Sequence, residues 1–102
     1  MKKEFELNRH NQFVLVGNSI GKQDNLYKLC LNIDYFDKPY SDIIEILKDI
    51  DNEGLPVDST TIANRISVIK SNIAIHDILK LYESPIIFNF DEILSNVKQF
   101  KN

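Results

Sequence analysis

The stretch LYKLCLNIDY, residues 26–35, decides how the first third of this chain is read. Tyr27, Leu29, Leu31, Ile33 and Tyr35 fall on alternate positions, with Lys28, Cys30, Asn32 and Asp34 between them. Successive side chains of a β-strand point to opposite faces, so this alternation predicts a strand with one apolar face. Upstream, Phe5 and Leu7 alternate with Glu4, Glu6 and Asn8, and RHNQ at 9–12 supplies turn chemistry. FVLVG at 13–17 is apolar on both faces, as expected of a central strand, and NSIGKQDN at 18–25 offers a second turn. Residues 1–36 are therefore expected to form a three-stranded antiparallel β-meander. Its apolar face needs a layer of helices to cover it.

Downstream the period changes. Ile43, Ile46, Leu47 and Ile50 recur at i, i+3, i+4 and i+7, which predicts a helix over about 40–51, entered at Pro39 and capped by Asp37 or Ser41. DNEGLP at 51–56 ends it, with Gly54 at the C′ position. In residues 58–84, Ile62, Ile66, Ile69 and Ile73 cluster on one side of a helix. Ile75, Ile78, Leu79 and Tyr82 lie about 155° round from them at 100° per residue. One straight helix would bury opposite faces in its two halves, so two helices are expected, the second capped by Ser71 or Asn72. Ile86, Phe88 and Phe90 alternate in a short strand near 86–90, and DEILSNVKQFKN closes with a helix showing Ile93, Leu94, Val97 and Phe100. The expectation is one α+β domain over 1–102: the meander at 1–36, then a mainly helical 37–102.

With 102 residues, 43% of them hydrophobic and 26% charged, the chain has the size and composition of a single globular domain. Its apolar runs fall far short of the ~20 residues that span a bilayer, and no apolar run follows Lys2 and Lys3 as a signal peptide would require. A single cysteine, Cys30, cannot close an internal disulfide, which agrees with a reducing, cytoplasmic setting. Fifteen isoleucines, eleven asparagines and ten lysines against two arginines favour AT-rich codons, and the small size suits a phage or mobile-element gene.

Charge is uneven. Residues 34–60 hold two lysines and eight acids, net −6, while the flanking segments are net +2 and +1. The acids Asp34, Asp37, Asp42, Glu45, Asp49, Asp51 and Glu53 make a candidate face for a basic partner.

Residues 59–78 resemble a helix-turn-helix, with Ala63 at the small position of the first helix and Ile62, Ile66, Val68 and Ile73 at apolar ones. Ser67 stands where glycine is usual in the turn, and His76 where an apolar residue is. The preceding helix at 40–51 sits where a winged-helix domain has its first. The resemblance implies a nucleic-acid surface of Arg65, Lys70, Ser71, Asn72 and Lys80, with Lys2, Lys3, Arg9, Lys22 and Lys28 on the phosphates. Against it stands a net charge of −3, where phosphate-gripping proteins usually show a basic excess.

Other chemistry finds no pattern. Asp49, Asp51, Glu53 and Gly54 match the first half of a calcium loop, but Thr60 stands where the bidentate glutamate belongs. His10 and His76 form no zinc motif, and Gly17 and Gly21 lack the spacing of a phosphate loop. The sequence thus leads to a non-enzymatic accessory or inhibitory protein, without metal or cofactor, docking onto a larger basic partner such as a nucleic-acid-processing enzyme. The alternative is a winged-helix-like DNA- or RNA-binding protein.

Overall fold

The computed structural model of the chain describes residues 2–69, 73 and 75–101. Six helices follow one another: α1 (Lys2–Gly17), α2 (Gln23–Leu31), α3 (Tyr40–Asn52), α4 (Ser59–Ile69), α5 (Ile75–Leu81) and α6 (Phe90–Lys101), with a 3-10 turn at Ile33–Tyr35. Among the described residues there is no strand, so the fold is all-helical and the expected α+β architecture with its N-terminal β-meander is incorrect. A wing of paired strands is likewise absent among them.

The reason lies in which residues are buried. In α1 the buried positions are Asn8, Gln12, Val14, Leu15 and Val16, continued by Asn18 and Ser19 beyond the helix end. They span an arc of about 200° on a helical wheel, and four of the seven are polar. The helical period is real and hydropathy does not show it. Phe5 and Leu7, which suggested alternation, are exposed. In α2 the alternating set divides: Leu29 is buried, while Tyr27 and Leu31 are 65% and 66% exposed. The packed residues are Leu26, Leu29, Cys30 and Ile33, a helical i, i+3, i+4, i+7 stripe running through the same ten residues.

The central element is α3, which packs against α1, α2, α4 and the 3-10 turn. Ile43, Ile44, Ile46, Leu47 and Ile50 are buried over an arc of about 160°. Pro39 precedes the helix with no side-chain cap; neither Asp37 nor Ser41 supplies one. Its C-terminus closes as a Schellman motif, with Leu55 N–H donating to Ile50 C=O at 3.2 Å and Gly54 N–H to Asp51 C=O at 3.0 Å. The motif requires the left-handed φ of +74° found at Gly54. Asp58 caps α4, its Oδ1 accepting from Thr61 N–H at 2.8 Å, and these hydrogen bonds hold its carboxyl below the usual range.

Residues 59–69 and 75–81 form separate helices, packed on each other, and the proposed caps Ser71 and Asn72 lie outside the described residues. The segment expected as a strand at 86–90 is irregular up to Asn89, and Phe90 already opens α6. Asn18 takes the place of a strand partner there. Its buried amide donates to Pro85 C=O at 2.8 Å and accepts from Ile87 N–H at 3.2 Å, leaving Ile86 and Phe88 pointing out. Gly17 lets this loop approach: a Cβ at that position would lie 2.7 Å from Leu81 C=O and collide with Ser84. Finally α6 packs on α1 and the 3-10 turn, burying Phe90, Leu94 and Val97.

Candidate docking faces

The seven acids singled out in the sequence do not form one face. Asp42, Glu45 and Asp49 do come together, at i, i+3 and i+7 on the outer side of α3, opposite its buried isoleucines. Their only intramolecular ion pair among the described residues is the long Lys38–Asp42 contact at 4.0 Å. Asp34 is exposed on the 3-10 turn, where its C=O accepts from Lys101.

The other three are committed to the fold. Asp37 is the most heavily used. Its N–H donates to Gln12 Oε1 at 2.8 Å, its Oδ2 accepts from Gln12 Nε2 at 3.0 Å, and Lys101 Nζ lies 3.4 Å from its Oδ1. One residue thereby ties α1, the loop before α3 and the end of α6. Partial burial alone would raise the Asp37 carboxyl, but the hydrogen bonds from Gln12 and Lys101, with the charges of Lys101 and Arg9, outweigh it and hold the group below its ordinary range. Asp51 accepts from Gln23 at 3.0 Å. Glu53 is gripped bidentately by Arg65, which pushes the glutamate down and the arginine up in pKa.

That same pair removes Arg65 from the free cations of the alternative, nucleic-acid set. Lys80 is exposed on α5, and Lys70, Ser71 and Asn72 lie outside the described residues. Of the expected phosphate contacts, Lys28 is paired with Asp91 at 2.8 Å, and the Arg9 guanidinium lies 5.5 Å from the Tyr40 ring.

What the alternating pattern did not show is a groove with exposed apolar side chains on α2. A groove of about 300 Å³ runs between α2 and α3, lined on α2 by Gln23, Leu26, Tyr27, Cys30 and Leu31, and on α3 by Lys48, Asp51 and Asn52. Tyr27 and Leu31 stand at its lip, both about two-thirds exposed. Alternation had assigned them to a buried strand face; a helical reading of residues 23–31 puts them on the outside. Cys30 is half-buried among the residues lining the groove, and burial pushes its thiol up in pKa, against the lowering influence of Lys48, the opposite of the shift that favours a thiolate.

A larger open cleft of about 660 Å³ lies at the α1–α2 turn, between Ser19–Leu26 and Asp51, Leu55–Val57. Neither histidine lines it. His10 and His76 are exposed on α1 and α5. Among the described residues no group of three or more His, Cys, Asp or Glu is placed to hold a metal ion, and no helix is long and apolar enough to cross a membrane. Comparison with protein-family models, with curated proteins and with solved structures gives no match to this chain.

Proposed function

We propose that this chain acts by binding, as a small accessory or inhibitory protein that docks onto a larger, basic protein partner of the kind that handles nucleic acid. The observation that carries this reading is on α2 and α3: two large exposed apolar side chains, Tyr27 and Leu31, line a groove closed on the other side by Lys48, Asp51 and Asn52 of α3, the helix whose outer side also carries Asp42, Glu45 and Asp49. Protein interfaces concentrate their energy in a few aromatic or aliphatic anchors surrounded by a polar rim. Carboxylates at that rim speed encounter with a basic surface and reject acidic ones. A docking patch of standard size, about 800 Å² per partner, is a modest fraction of the 6481 Å² that this chain exposes.

The test uses the tagged chain and two variants as baits in the cells that make it: Asp42→Lys/Glu45→Lys/Asp49→Lys, and Tyr27→Ala/Leu31→Ala. The expected result is a basic protein retained by the parent and lost by both variants, whose circular dichroism stays helical. A partner held equally by all three sinks the α2–α3 face. A parallel titration of labelled DNA across a salt series separates the nucleic-acid reading. Tight binding that weakens steeply with salt and survives the triple charge reversal would transfer the site to the α4–α5 region.

A further inference from the structure

Helix α5 is apolar on two sides. Ile78 and Leu81 are buried against the core, while Ile75, Leu79 and the following Tyr82 lie on the outer side, each about half exposed. The chain tightens at the helix end, where Tyr82 N–H donates to Leu79 C=O at 3.2 Å and Glu83 N–H to Lys80 C=O at 2.9 Å. A turn of this i→i+3 kind eclipses the side chains it joins, so Leu79 and Tyr82 form one line and Lys80 and Glu83 the line beside it. Tyr82 shares a groove of about 230 Å³ with Ile86. Beyond it the Asn18 clasp holds Ile86 and Phe88 outward, Phe88 97% exposed. Ile75, Leu79, Tyr82, Ile86 and Phe88 thus make one continuous apolar patch.

We infer that this patch is the interface of a two-fold homodimer in which the α5 helices of two copies lie antiparallel. Size is one reason. The exposed parts of these five side chains amount to on the order of 600 Å², at the upper end for a monomer and, with a polar rim added, near the ~800 Å² per partner of a standard interface. Charge is the other reason, and it selects a second copy over a partner of one sign. The line beside the patch carries one cation and one anion, Lys80 and Glu83, both exposed and neither in an ion pair among the described residues. A two-fold axis between antiparallel helices keeps the same flank of both copies on one side and reverses their direction. Leu79 then meets the partner's Tyr82, Lys80 meets the partner's Glu83, and each contact occurs twice. A parallel pairing would put the two flanks on opposite sides and leave the charges unmatched. Ile86 and Phe88 extend the patch past the end of α5, toward the start of the partner's α5. The patch shares no residue with the α2–α3 face, so the two readings stand or fall separately.

The experiment is sedimentation equilibrium of the full chain at physiological salt over about 5–500 µM, a range that spans the modest affinity a patch of this size supports. The parent is expected to pass from monomer to dimer. Leu79→Asp/Ile86→Asp should remain monomeric with unchanged circular dichroism. Lys80→Glu and Glu83→Lys, each measured alone, replace both attractions by repulsions and should weaken dimerisation about tenfold. Mixed in equal amounts, these two variants regain opposite charges at both contacts and should form a mixed dimer as tight as the parent's. The mixture decides the matter even if the apolar double variant loses its helicity. The inference is overturned by a parent that stays monomeric at the highest concentration, including one whose α5 face instead takes up a basic protein or DNA. It is overturned too by a dimer that survives in a folded Leu79→Asp/Ile86→Asp, by one abolished through charge reversal on α3 instead, or by a mixture no tighter than its separate components.

Discussion

Helices α1 and α3 lie against each other and both bury one face, yet they do so with different chemistry. The buried arc of α3 is Ile43, Ile44, Ile46, Leu47 and Ile50. That of α1 and its extension is Asn8, Gln12, Val14, Leu15, Val16, Asn18 and Ser19, four of them polar. An aliphatic arc is held by area removed from water and by close packing, neither of which depends on direction. An amide arc is held only where each donor and acceptor meets a partner, so it fixes particular loops to particular helix positions. The difference teaches that α3 organises the core, while α1 organises the connections: Gln12 holds the loop before α3 and Asn18 the loop before α6.

The largest effect that could break this comparison belongs to α3. Leu47→Ala removes a side chain with no solvent exposure and should cost about 2–5 kcal/mol, read as a lower urea midpoint with an unchanged slope. A loss below about 1 kcal/mol would mean that α3 is not the packed centre.

Gln12→Ala comes next. Gln12 is as buried as Leu47, but its truncation leaves the Asp37 N–H without its acceptor, and the expected loss is about 1–3 kcal/mol. The sharper readout is local: hydrogen exchange at Asp37 and in the neighbouring loop should accelerate more than exchange in α4. Uniform acceleration would show that Gln12 acts as filler rather than as a clasp.

The smallest effect is set by pH. Because the Asp37 carboxyl is held below its ordinary range in the folded chain, its contribution is fully present above the unfolded pKa. It is lost as pH falls through the lower, folded value. Urea midpoints of the parent and of Asp37→Asn should therefore differ near neutrality and converge in acid. A gap independent of pH would show that the Gln12 contacts, and not the carboxylate charge, carry the residue's role.

Part of this was legible in residue spacing. The α3 stripe, the Gly54 stop and the Leu94 and Val97 positions of the α6 stripe are aliphatic periodicities bounded by recognisable termini, while Phe100, expected on that stripe, is exposed. The division of residues 58–84 into two helices also holds, but not through the expected face of the second: α5 buries Ile78 and Leu81, while Ile75, Leu79 and Tyr82 are exposed. The N-terminal third was misread for two physical reasons. In LYKLCLNIDY the period-2 set and the helical set share Leu29 and Ile33, so a ten-residue window fits both. In α1 the amides at Asn8 and Gln12 interrupt the apolar signal at the positions where a helix reveals itself.

The candidate site divides the same way. Asp42, Glu45 and Asp49 share a face because their spacing puts them there on any helix. That Asp37, Asp51 and Glu53 pair with Gln12, Gln23 and Arg65 depends on partners 25, 28 and 12 residues away in the chain.

By itself, then, the sequence determined where the aliphatic helices run, where they stop, and that negative charge gathers around α3, since each of these follows from contacts within a few turns of chain. The tertiary structure alone decided that the first third is helical, that Tyr27 and Leu31 face solvent, and which loops the buried amides Gln12 and Asn18 clasp. Those outcomes depend on what each side chain meets from distant segments, and local periodicity carries no information about such partners.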